Sequence, residues 1–412
     1  MVVTDITFVA DEGYLERSAT HLTLRPEGWS PVCRQISLAG DVPVLLHTHP
    51  NGSAAFSARD DTFDRTVGAE LRRTAGSDVV VSVVVAGTPA APRFVARLVT
   101  ADQFRGVDVI RIVGDRVDIH LPDDAAPLRD DVHDRAIRAL GKRGKRTLGS
   151  LRVGFAGAGG TGSPAIEQVA RLGVGEELVI DNDVVTASTV SRGYGTTLND
   201  LGRPKVDVVA EHIARMGLDT TVVALNQDIR TESSRLALAQ CDVVFGCTDS
   251  HASRIVLSRL AYLHLVPVID LGVVVANTAG RLNGWGRVTW AAPGAACLLC
   301  GGHIDPQIAA TESLDPTERR RLAAEGYVPD LDEPAPSVIA YTTMVAAEGV
   351  AEFLDRFLDL HSHDGASETL LQLSAHKKRR SKPHPRTGCI CNEPIQWGTG
   401  RAEVDLDLLW AS

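Results

Sequence analysis

One stretch near the middle of the chain limits the possible folds more than any other. Residues 153–163 read Val-Gly-Phe-Ala-Gly-Ala-Gly-Gly-Thr-Gly-Ser, an apolar strand that runs into a glycine turn and then into a helical pattern at Pro164–Leu172. Glycine lets the backbone approach a phosphate closely, and a helix start presents free N–H groups and positive dipole charge. Gly157, Gly159 and Gly162 also have dinucleotide-binding spacing. This arrangement predicts a parallel sheet that binds a nucleotide.

The pattern around the loop predicts the fold class. From Arg152 to about Val275, apolar runs alternate with helical stretches, which is typical of βαβ units. The predicted strands are Val153–Ala156, Glu177–Ile180, Thr221–Leu225, Asp242–Gly246 and Val266–Asp270. Earlier strands are predicted at Ile6–Ala10, Val42–Leu46, Val79–Ala86, Phe94–Val99, Val109–Val113 and Val117–Leu121, with helices at Gly28–Leu38 and Ala58–Thr74. We expect an α/β fold with a doubly wound, mostly parallel sheet, preceded by a smaller α+β domain.

A proline-containing stretch separates these two regions. Leu121–Leu128 carries two prolines and no apolar period, which is typical of a linker. The predicted segments are a first domain over 1–122, a linker over 123–130 and a second domain over 131–412. A basic helix is expected at His133–Lys145 and a late helix at Val338–Leu360. The basic stretch His376–Arg386 is expected to be a solvated loop, and a docking surface for an acidic partner or tail is the remaining alternative.

Composition excludes several classes of protein. The chain has 412 residues and a net charge of −10, from 42 basic and 52 acidic residues, which argues against nucleic acid as a general partner. Apolar runs such as Val79–Ala86 fall far short of the ~20 residues that span a bilayer, so no membrane partner is expected. The start shows no secretory signal, and the seven cysteines suit a reducing compartment. We therefore expect a cytoplasmic protein.

Charged residues after the glycine loop distinguish between nucleotides. Asp181 ends the next predicted strand, at the distance expected of an acid that binds ribose hydroxyls. Arg192 and Lys205 follow, and Asp249 comes after a later apolar strand. An NAD site holds one pyrophosphate and needs no such array of cations. A triphosphate with Mg²⁺ needs several cations and a carboxylate near strand ends, so ATP is favoured.

Taken in order, these motifs resemble the HesA/MoeB/ThiF superfamily of ubiquitin-activating-enzyme-like adenylyltransferases over residues 133–391. The matching positions are Gly157, Gly159, Gly160 and Gly162 of the glycine loop, Asp181 and Asp183, Arg192, Gly202–Lys205, and Cys247–Asp249. Thr189 and Ser250 depart from the family, which has asparagine at both positions.

The resemblance implies a reaction and roles for these residues. Asp181, Asp183 and the glycine loop would hold ATP, and Asp249 would hold Mg²⁺. The implied catalytic residues are Arg192, Lys205, Asp249 and an Arg135 reaching across from a second copy, which implies a homodimer. The substrate would be a carboxylate, typically the C-terminal Gly-Gly of a ubiquitin-like protein. It would attack the α-phosphorus and expel pyrophosphate.

Two cysteine pairs predict a structural Zn²⁺ site. The pairs are Cys297 with Cys300 and Cys389 with Cys391, and four thiolates suit one tetrahedral Zn²⁺. The second pair is one residue shorter than the family's usual pattern, so ligation by His384 or His303 in place of one thiol stays open. Thioester-forming relatives carry a cysteine where this chain has Gly326–Ser337, which contains none, so no thioester is expected there. Cys33, Cys241 and Cys247 are expected to be buried thiols.

Two histidines near the start form a second candidate metal site. His47 and His49 follow an apolar strand, and Asp60 lies downstream, so the three could hold Zn²⁺ with one open position. With Pro50 and Ser57 they resemble the JAMM (JAB/MPN) metalloprotease motif. That resemblance implies zinc ligation by His47, His49 and Asp60, and oxyanion support by Ser57.

The first domain departs from that motif in one respect. JAMM hydrolases use a glutamate base on an upstream strand, and Glu12, Glu16 and Glu27 lie in no matching pattern. An upstream start, a substitute glutamate, or binding without cleavage would each account for this.

We predict an adenylyltransferase fused to a JAMM-like domain that acts on the same ubiquitin-like modifier. Three alternatives stay open: adenylation of a peptide or small carboxylic acid, a non-catalytic scaffold that binds ubiquitin-like folds, and, last, a nicotinamide dehydrogenase.

Overall fold

The computed structural model describes residues 3, 6–18, 22–50, 52–89, 91–121, 130–328, 335–360 and 365–400. Within this part of the chain, residues 3–112 and 118–121 form unit 1, and residues 113–117 and 130–400 form unit 2. Residues 123–129 of the predicted linker lie outside the described residues. Residues 329–334 of the stretch Gly326–Ser337 also lie outside them. The predicted domain boundaries therefore stay predictions.

Unit 1 is built around one four-stranded sheet. Its elements are β1 (Tyr14–Arg17), β2 (Leu22–Leu24), α1 (Pro26–Ala39), β3 (Val44–His49), α2 (Ala58–Ala75), β4 (Val80–Thr88), β5 (Ala91–Val99) and β6 (Phe104–Gly106), together with most of β7 (Ile110–Val113) and β8 (Val117–His120). The sheet order is β3-β4-β5-β6, with β3 parallel to β4 and the other pairs antiparallel. Helix α2 supplies the crossover that two parallel strands require. Cys33, Leu71, Val80 and Val99 form a buried cluster in this unit.

One strand predicted for unit 1 is wrong. Ile6–Ala10 has no regular structure, and its largest apolar side chains, Ile6 and Phe8, are exposed. β-branched composition alone does not make a strand when no neighbouring strand or core covers the side chains. The short strands β1, β2 and β6 were not predicted because, unlike the similarly short β7 and β8, they contain no Val or Ile.

Unit 2 is built around an eight-stranded sheet. Its elements are α3 (Asp130–Gly149), β9 (Arg152–Ala156), α4 (Gly162–Leu172), β10 (Glu176–Ile180), α5 (Ala187–Val190), α6 (Lys205–Arg215), β11 (Thr221–Leu225), α7 (Glu232–Leu238), β12 (Val243–Gly246), α8 (His251–Leu263), β13 (Val268–Thr278), β14 (Arg281–Ala291), α9 (Pro306–Glu312), α10 (Pro316–Ala324), α11 (Ile339–Leu358), β15 (Glu368–Gln372) and β16 (Lys377–Ser381). The strand order is β11-β10-β9-β12-β13-β14-β15-β16. Strands β9 to β13 are parallel, and β13 to β16 form an antiparallel meander. The predicted fold class is confirmed.

The order of the parallel strands locates a crevice. From the central strand β9 the chain moves outward to β10 and β11, then returns to β12 on the other side. Ligands of doubly wound sheets bind where the order reverses, outside the carboxyl ends of the strands. Phe155 of β9 and Phe245 of β12 stack in the core with ring centroids 5.1 Å apart, and Phe353 of α11 packs edge-on against Phe245. This fully buried packing fixes the two strands between which the crevice opens.

Two predictions for unit 2 require correction. The strand predicted at Val266–Asp270 continues to Thr278, because β13 pairs with β14 over its whole length. The solvated loop predicted at His376–Arg386 is wrong for Lys377–Ser381, which forms the edge strand β16 against β15. Its backbone is paired on one side while its charged side chains still reach water, an arrangement typical of edge strands.

The remaining predicted elements lie close to the observed ones. The basic helix α3 is longer than predicted and breaks at Gly141, which has a positive φ of 74°. In the described residues no helix is both long and apolar enough to cross a membrane.

Candidate functional site

The glycine loop between β9 and α4 owes its composition to close backbone packing. Gly157 has a φ of +106°, and a Cβ there would lie 2.7 Å from the Cys247 carbonyl oxygen. A Cβ on Gly162 would lie 2.0 Å from the Gly157 carbonyl oxygen. On Gly159, by contrast, a Cβ would meet nothing within 4 Å among the described residues. Two glycines thus close the turn, and the third leaves open space beside the start of α4.

Asp181 ties the glycine loop to the end of β10. The Ala158 amide donates to Asp181 Oδ2 at 2.7 Å, and the Asp183 amide donates to Oδ1 at 2.8 Å. Burial raises the pKa of the Asp181 carboxyl above its ordinary value, and the nearby Lys205 ammonium opposes that shift. Lys205 Nζ lies 4.0 Å from Asp181 Oδ2 and donates to Asp183 Oδ2 at 2.6 Å. The predicted Asp-x-Asp and lysine therefore form one cluster with the loop.

Arg192 packs against Gly160 of the same loop. A Cβ on Gly160 would lie 3.3 Å from Arg192 Cδ, so the aliphatic part of the arginine packs on that glycine. Arg192 Nε is buried and has no hydrogen-bond partner among the described residues. A buried guanidinium N–H without an acceptor is costly, about 1–3 kcal/mol or more. Its position beside a phosphate-type loop fits an anionic ligand.

Asp249 stands in the turn that joins β12 to α8. The residue is exposed, and its carboxylate has no protein partner in the described part of the chain. Ser250 begins the helix as its N-cap, with its hydroxyl accepting from the Ser253 amide. A carboxylate at the carboxyl end of a parallel strand, free of protein partners, fits a hydrated Mg²⁺.

Two further predicted positions of unit 2 are Arg135 and Thr189. Arg135 is exposed on α3. Thr189 is buried, and its hydroxyl accepts from the Thr186 amide at 3.2 Å in the capping box of α5. The threonine that replaces the family's asparagine is thus bound within its own turn.

The four paired cysteines come together in space. All four Sγ atoms lie within 4.8 Å of one another. Cys297 Sγ lies 3.5 Å from Cys389 Sγ, and Cys300 Sγ lies 3.6 Å from Cys391 Sγ. Four sulfurs around a tetrahedral Zn²⁺ at about 2.3 Å would be ~3.8 Å apart. The four thiols therefore fit a closed zinc site.

Neither histidine proposed as a substitute ligand joins that site. His303 Nε2 lies 2.5 Å from Glu368 Oε2, and His384 is exposed. Among the unpaired cysteines, Cys33 and Cys241 are buried as predicted. Cys247 is only partly buried as a residue, although its enclosed thiol has a pKa raised by burial.

In unit 1, the end of β3 meets the start of α2. His47 Nε2 lies 3.2 Å from His49 Nε2 and 3.1 Å from Asp60 Oδ1, and His49 Nε2 lies 3.6 Å from Asp60 Oδ2. Nitrogens on one tetrahedral Zn²⁺ at about 2.05 Å would be ~3.3 Å apart, so the three side chains fit that ion. Burial lowers the pKa of His47, although Asp60 opposes the shift, and a neutral imidazole is what a metal requires.

Ser57 orients the carboxylate of this cluster. The Ser57 amide donates to Asp60 Oδ2 at 2.6 Å, and its hydroxyl accepts from the Asp60 amide at 3.3 Å. Burial acts to raise the pKa of Asp60, but the hydrogen bonds from Ser57 outweigh it and hold the pKa below its ordinary value. Glu12, Glu16 and Glu27 are exposed, and none belongs to the metal-ligand cluster found among the described residues.

Sequence reasoning missed three side chains near the Asp249 turn. Arg254 Nη2 donates to the Thr248 carbonyl, and its Nε donates to the fully buried Asp270. Glu312 accepts hydrogen bonds at the start of α8. No sequence signal connects Glu312 to this turn, because the two are about 60 residues apart and their contact depends on tertiary packing.

The ThiF family model matches residues 133–391. The chain is 29% identical over 161 residues to the SAMP-activating enzyme E1 of Haloferax volcanii, covering 39% of the chain and 57% of that protein. It is 32% identical over 131 residues to the sulfur carrier protein ThiS adenylyltransferase of Escherichia coli, covering 32% of the chain and 52% of that protein. The chain thus spans about half the length of these relatives.

A solved structure shares the fold. E. coli MccB crystallised with MccA-N7isoASN aligns with a TM-score of 0.51 at 14% identity, covering 64% of this chain and 75% of that one. At that identity the likeness concerns the fold alone.

Proposed function

Because the chain belongs to the ThiF family, we propose that unit 2 is an ATP-dependent adenylyltransferase that activates the C-terminal carboxylate of a ubiquitin-like protein. The names of two relatives, the SAMP-activating enzyme and the ThiS adenylyltransferase, support this class of substrate. The observation that carries the proposal is the buried Arg192 Nε beside the glycine loop, which has no hydrogen-bond partner in the described part of the chain. A dehydrogenase would bind one pyrophosphate at the loop. That group carries less negative charge than a triphosphate, so it would need fewer cations around it.

The side chains around the loop fit ATP with Mg²⁺. The open space at Gly159 would admit the phosphates, and Asp181 would accept hydrogen bonds from the ribose hydroxyls. Arg192 and Lys205 would neutralise phosphate oxygens. Asp249 would hold Mg²⁺, which when bound supplies positive charge to the leaving phosphates.

The proposed reaction is a displacement at the α-phosphorus. A carboxylate oxygen of the modifier forms a new bond to that phosphorus. The bond from the phosphorus to the β-bridging oxygen breaks, and its electron pair leaves with pyrophosphate. No proton moves, because the attacking group is already a carboxylate. The chain's part is positioning and charge stabilisation, in which Arg192 acts on the phosphoryl oxygens.

The test is isotope exchange between pyrophosphate and ATP. The purified chain is incubated with ATP, Mg²⁺ and ubiquitin-like proteins that end in Gly-Gly. Arg192→Ala is expected to lower exchange about 100-fold, the usual effect of removing one charge-stabilising donor. Arg215→Ala, which removes an exposed arginine at the end of α6, is the matched control and should keep wild-type exchange.

Three results would count against this proposal. Exchange with peptides or small carboxylic acids only would assign a biosynthetic substrate. ATP affinity that is unaffected by Arg192→Ala would show that the buried Arg192 Nε does not bind the nucleotide. Modifier binding without ATP binding would indicate a scaffold.

We further propose that unit 1 is a JAMM-like domain that binds Zn²⁺ through His47, His49 and Asp60 and acts on the same modifier. The distances among these side chains support the metal site, and the open fourth position would admit water or a modifier tail. Asp64 does not supply the missing base, because Ser82 donates to its Oδ1 and Arg97 to its Oδ2.

Zinc content tests both metal sites. The intact chain is expected to carry two zinc ions, one at the cysteines and one in unit 1. His47→Ala should leave one, and His384→Ala, an exposed histidine outside both clusters, should leave two. Cleavage of a ubiquitin-like protein extended beyond Gly-Gly, if lost in Asp60→Asn, would assign a peptidase. Retained zinc without cleavage would restrict unit 1 to binding.

A further inference from the structure

Glu312, the last residue of α9, accepts hydrogen bonds from the first turn of α8. Glu312 Oε2 accepts from the Ser250 hydroxyl at 2.7 Å and from the Ala252 amide at 2.7 Å. Glu312 Oε1 accepts from the His251 amide at 3.2 Å. Charged acceptors make hydrogen bonds about twice as strong as neutral ones, and a carboxylate also suits the positive end of a helix. Glu312 therefore fixes where α8 begins.

The other side of the same turn is also fixed. Arg254 Nη2 donates to the Thr248 carbonyl at 2.9 Å, while Arg254 Nε donates to Asp270 Oδ1 at 3.4 Å. Asp270 is fully buried and is held again by Arg287 Nη2 at 2.6 Å. The residue between the two anchors is Asp249. Its backbone is thus held from Thr248 on one side and from Ser250 on the other.

Helix α9 is itself attached firmly enough to act as an anchor. At its start, the Asp305 amide donates to His251 Nδ1 at 2.9 Å. At its end, Arg230 Nη1 donates to the Glu312 carbonyl at 3.1 Å, and Asp228 holds the arginine on both carboxylate oxygens. Because α9 is held at both ends, the Glu312 carboxylate has a fixed position. It therefore sets the position of the turn before α8.

We propose that Glu312 is a positioning residue that acts through Ser250 to aim the Asp249 carboxylate at the metal–nucleotide site. This inference rests on the proposed function. The serine at position 250 has one hydroxyl, which both accepts from the Ser253 amide and donates to Glu312. Without the carboxylate the hydroxyl keeps its capping bond but loses the contact that sets its direction. The turn that carries Asp249 would then become ordered only when the metal binds, and the free energy of that ordering would weaken metal binding.

The test separates metal binding from turnover. Mn²⁺ binding is followed by electron paramagnetic resonance on the full-length chain with a non-hydrolysable ATP analogue. Glu312→Ala should weaken Mn²⁺ binding about tenfold, the change expected when one or two charge-assisted hydrogen bonds no longer hold the turn. Glu312→Gln keeps one acceptor oxygen for Ser250 and Ala252 and should stay within about threefold of wild type. Glu325→Ala, which removes an exposed ion pair with Arg321, is the matched control.

Hydrogen exchange gives a readout that does not depend on the metal. The amides of His251 and Ala252 should exchange faster in Glu312→Ala than in wild type, with the melting temperature of the chain nearly unchanged. Faster exchange with unaltered Mn²⁺ affinity would reduce Glu312 to a helix cap and overturn the inference. Failure of the wild-type chain to bind ATP and Mn²⁺ together would instead overturn the proposed function, so the two failures are distinguishable.

Discussion

Two glycines of the loop should respond oppositely to the same added methyl group. Gly162 and Gly159 are three residues apart, yet a Cβ at Gly162 would meet the Gly157 carbonyl oxygen at 2.0 Å, while a Cβ at Gly159 would meet nothing within 4 Å in the described chain. Gly162→Ala must therefore move the loop by about 1 Å or more to reach an ordinary contact distance. Gly159→Ala needs no such movement.

The contacts set the expected magnitudes. Overpacking of this kind costs about 1–3 kcal/mol, which for a domain of this size lowers the melting temperature by roughly 2–10 °C. Gly159→Ala should keep the wild-type melting temperature within about 1 °C, because no atom has to move. Its methyl group would instead occupy the space through which the backbone approaches a phosphate, so ATP binding should weaken about tenfold or more.

Scanning fluorimetry and binding of a fluorescent ATP analogue measure the two effects separately. Gly106→Ala is the control for a generic glycine replacement, because its Cβ also meets open space and it lies in β6 of unit 1. Wild-type ATP affinity in Gly159→Ala would refute the reasoning, since the open space would then not be the phosphate site. An unchanged melting temperature in Gly162→Ala would show that the close approach of the two backbone segments is not required.

Three further predictions concern the dimer, the zinc site and a buried acid. Mixing inactive Arg135→Ala and Arg192→Ala proteins should restore about a quarter of wild-type exchange if a dimer shares the arginine in trans, and no recovery would exclude sharing. Cys389→Ser should remove one zinc ion per chain and lower the melting temperature, because the site joins segments 92 residues apart. Glu177 is fully buried, neither carboxylate oxygen has a partner among the described residues, and burial raises its pKa well above the ordinary value, so its contribution to stability is lost as pH rises through that pKa. Glu177→Gln should therefore melt roughly 3 °C or more above wild type at pH 8, and the difference should shrink toward pH 5.

Local patterns were enough to predict the parallel half of unit 2. The βαβ rhythm and the glycine turn are signals carried by neighbouring residues, and strands β9 to β12 lie within a residue or so of their predicted positions. The cysteine pairs were equally readable, because ligand spacing within each pair is local. The meeting of the two pairs depends on tertiary packing. Spacing does not reveal it, and it was predicted from the usual four-thiolate chemistry of zinc.

The antiparallel meander was harder to predict because its strands gain their stability from one another. Lys377–Ser381 has the charge of a loop and becomes a strand only because β15 offers it a paired edge. Ile6–Ala10 shows the reverse case, since it has the composition of a strand but exposed side chains. In both segments pairing outweighs intrinsic propensity, as is general for β structure.

The two departures from the family pattern, Thr189 and Ser250, involve the same kind of change. At Thr189 and at Ser250 a short hydroxyl side chain replaces an asparagine, and each hydroxyl is used in the cap of the helix that follows or contains it. A hydroxyl that accepts a cap bond has one O–H left to donate, and at Ser250 that proton goes to Glu312. Neither residue therefore offers the site what an amide side chain would, so in the proposed function the ligand contacts would fall to Arg192, Lys205 and Asp249. An asparagine restored at position 250 would compete with Glu312 for the same turn, and it should slow exchange unless Glu312 is replaced as well.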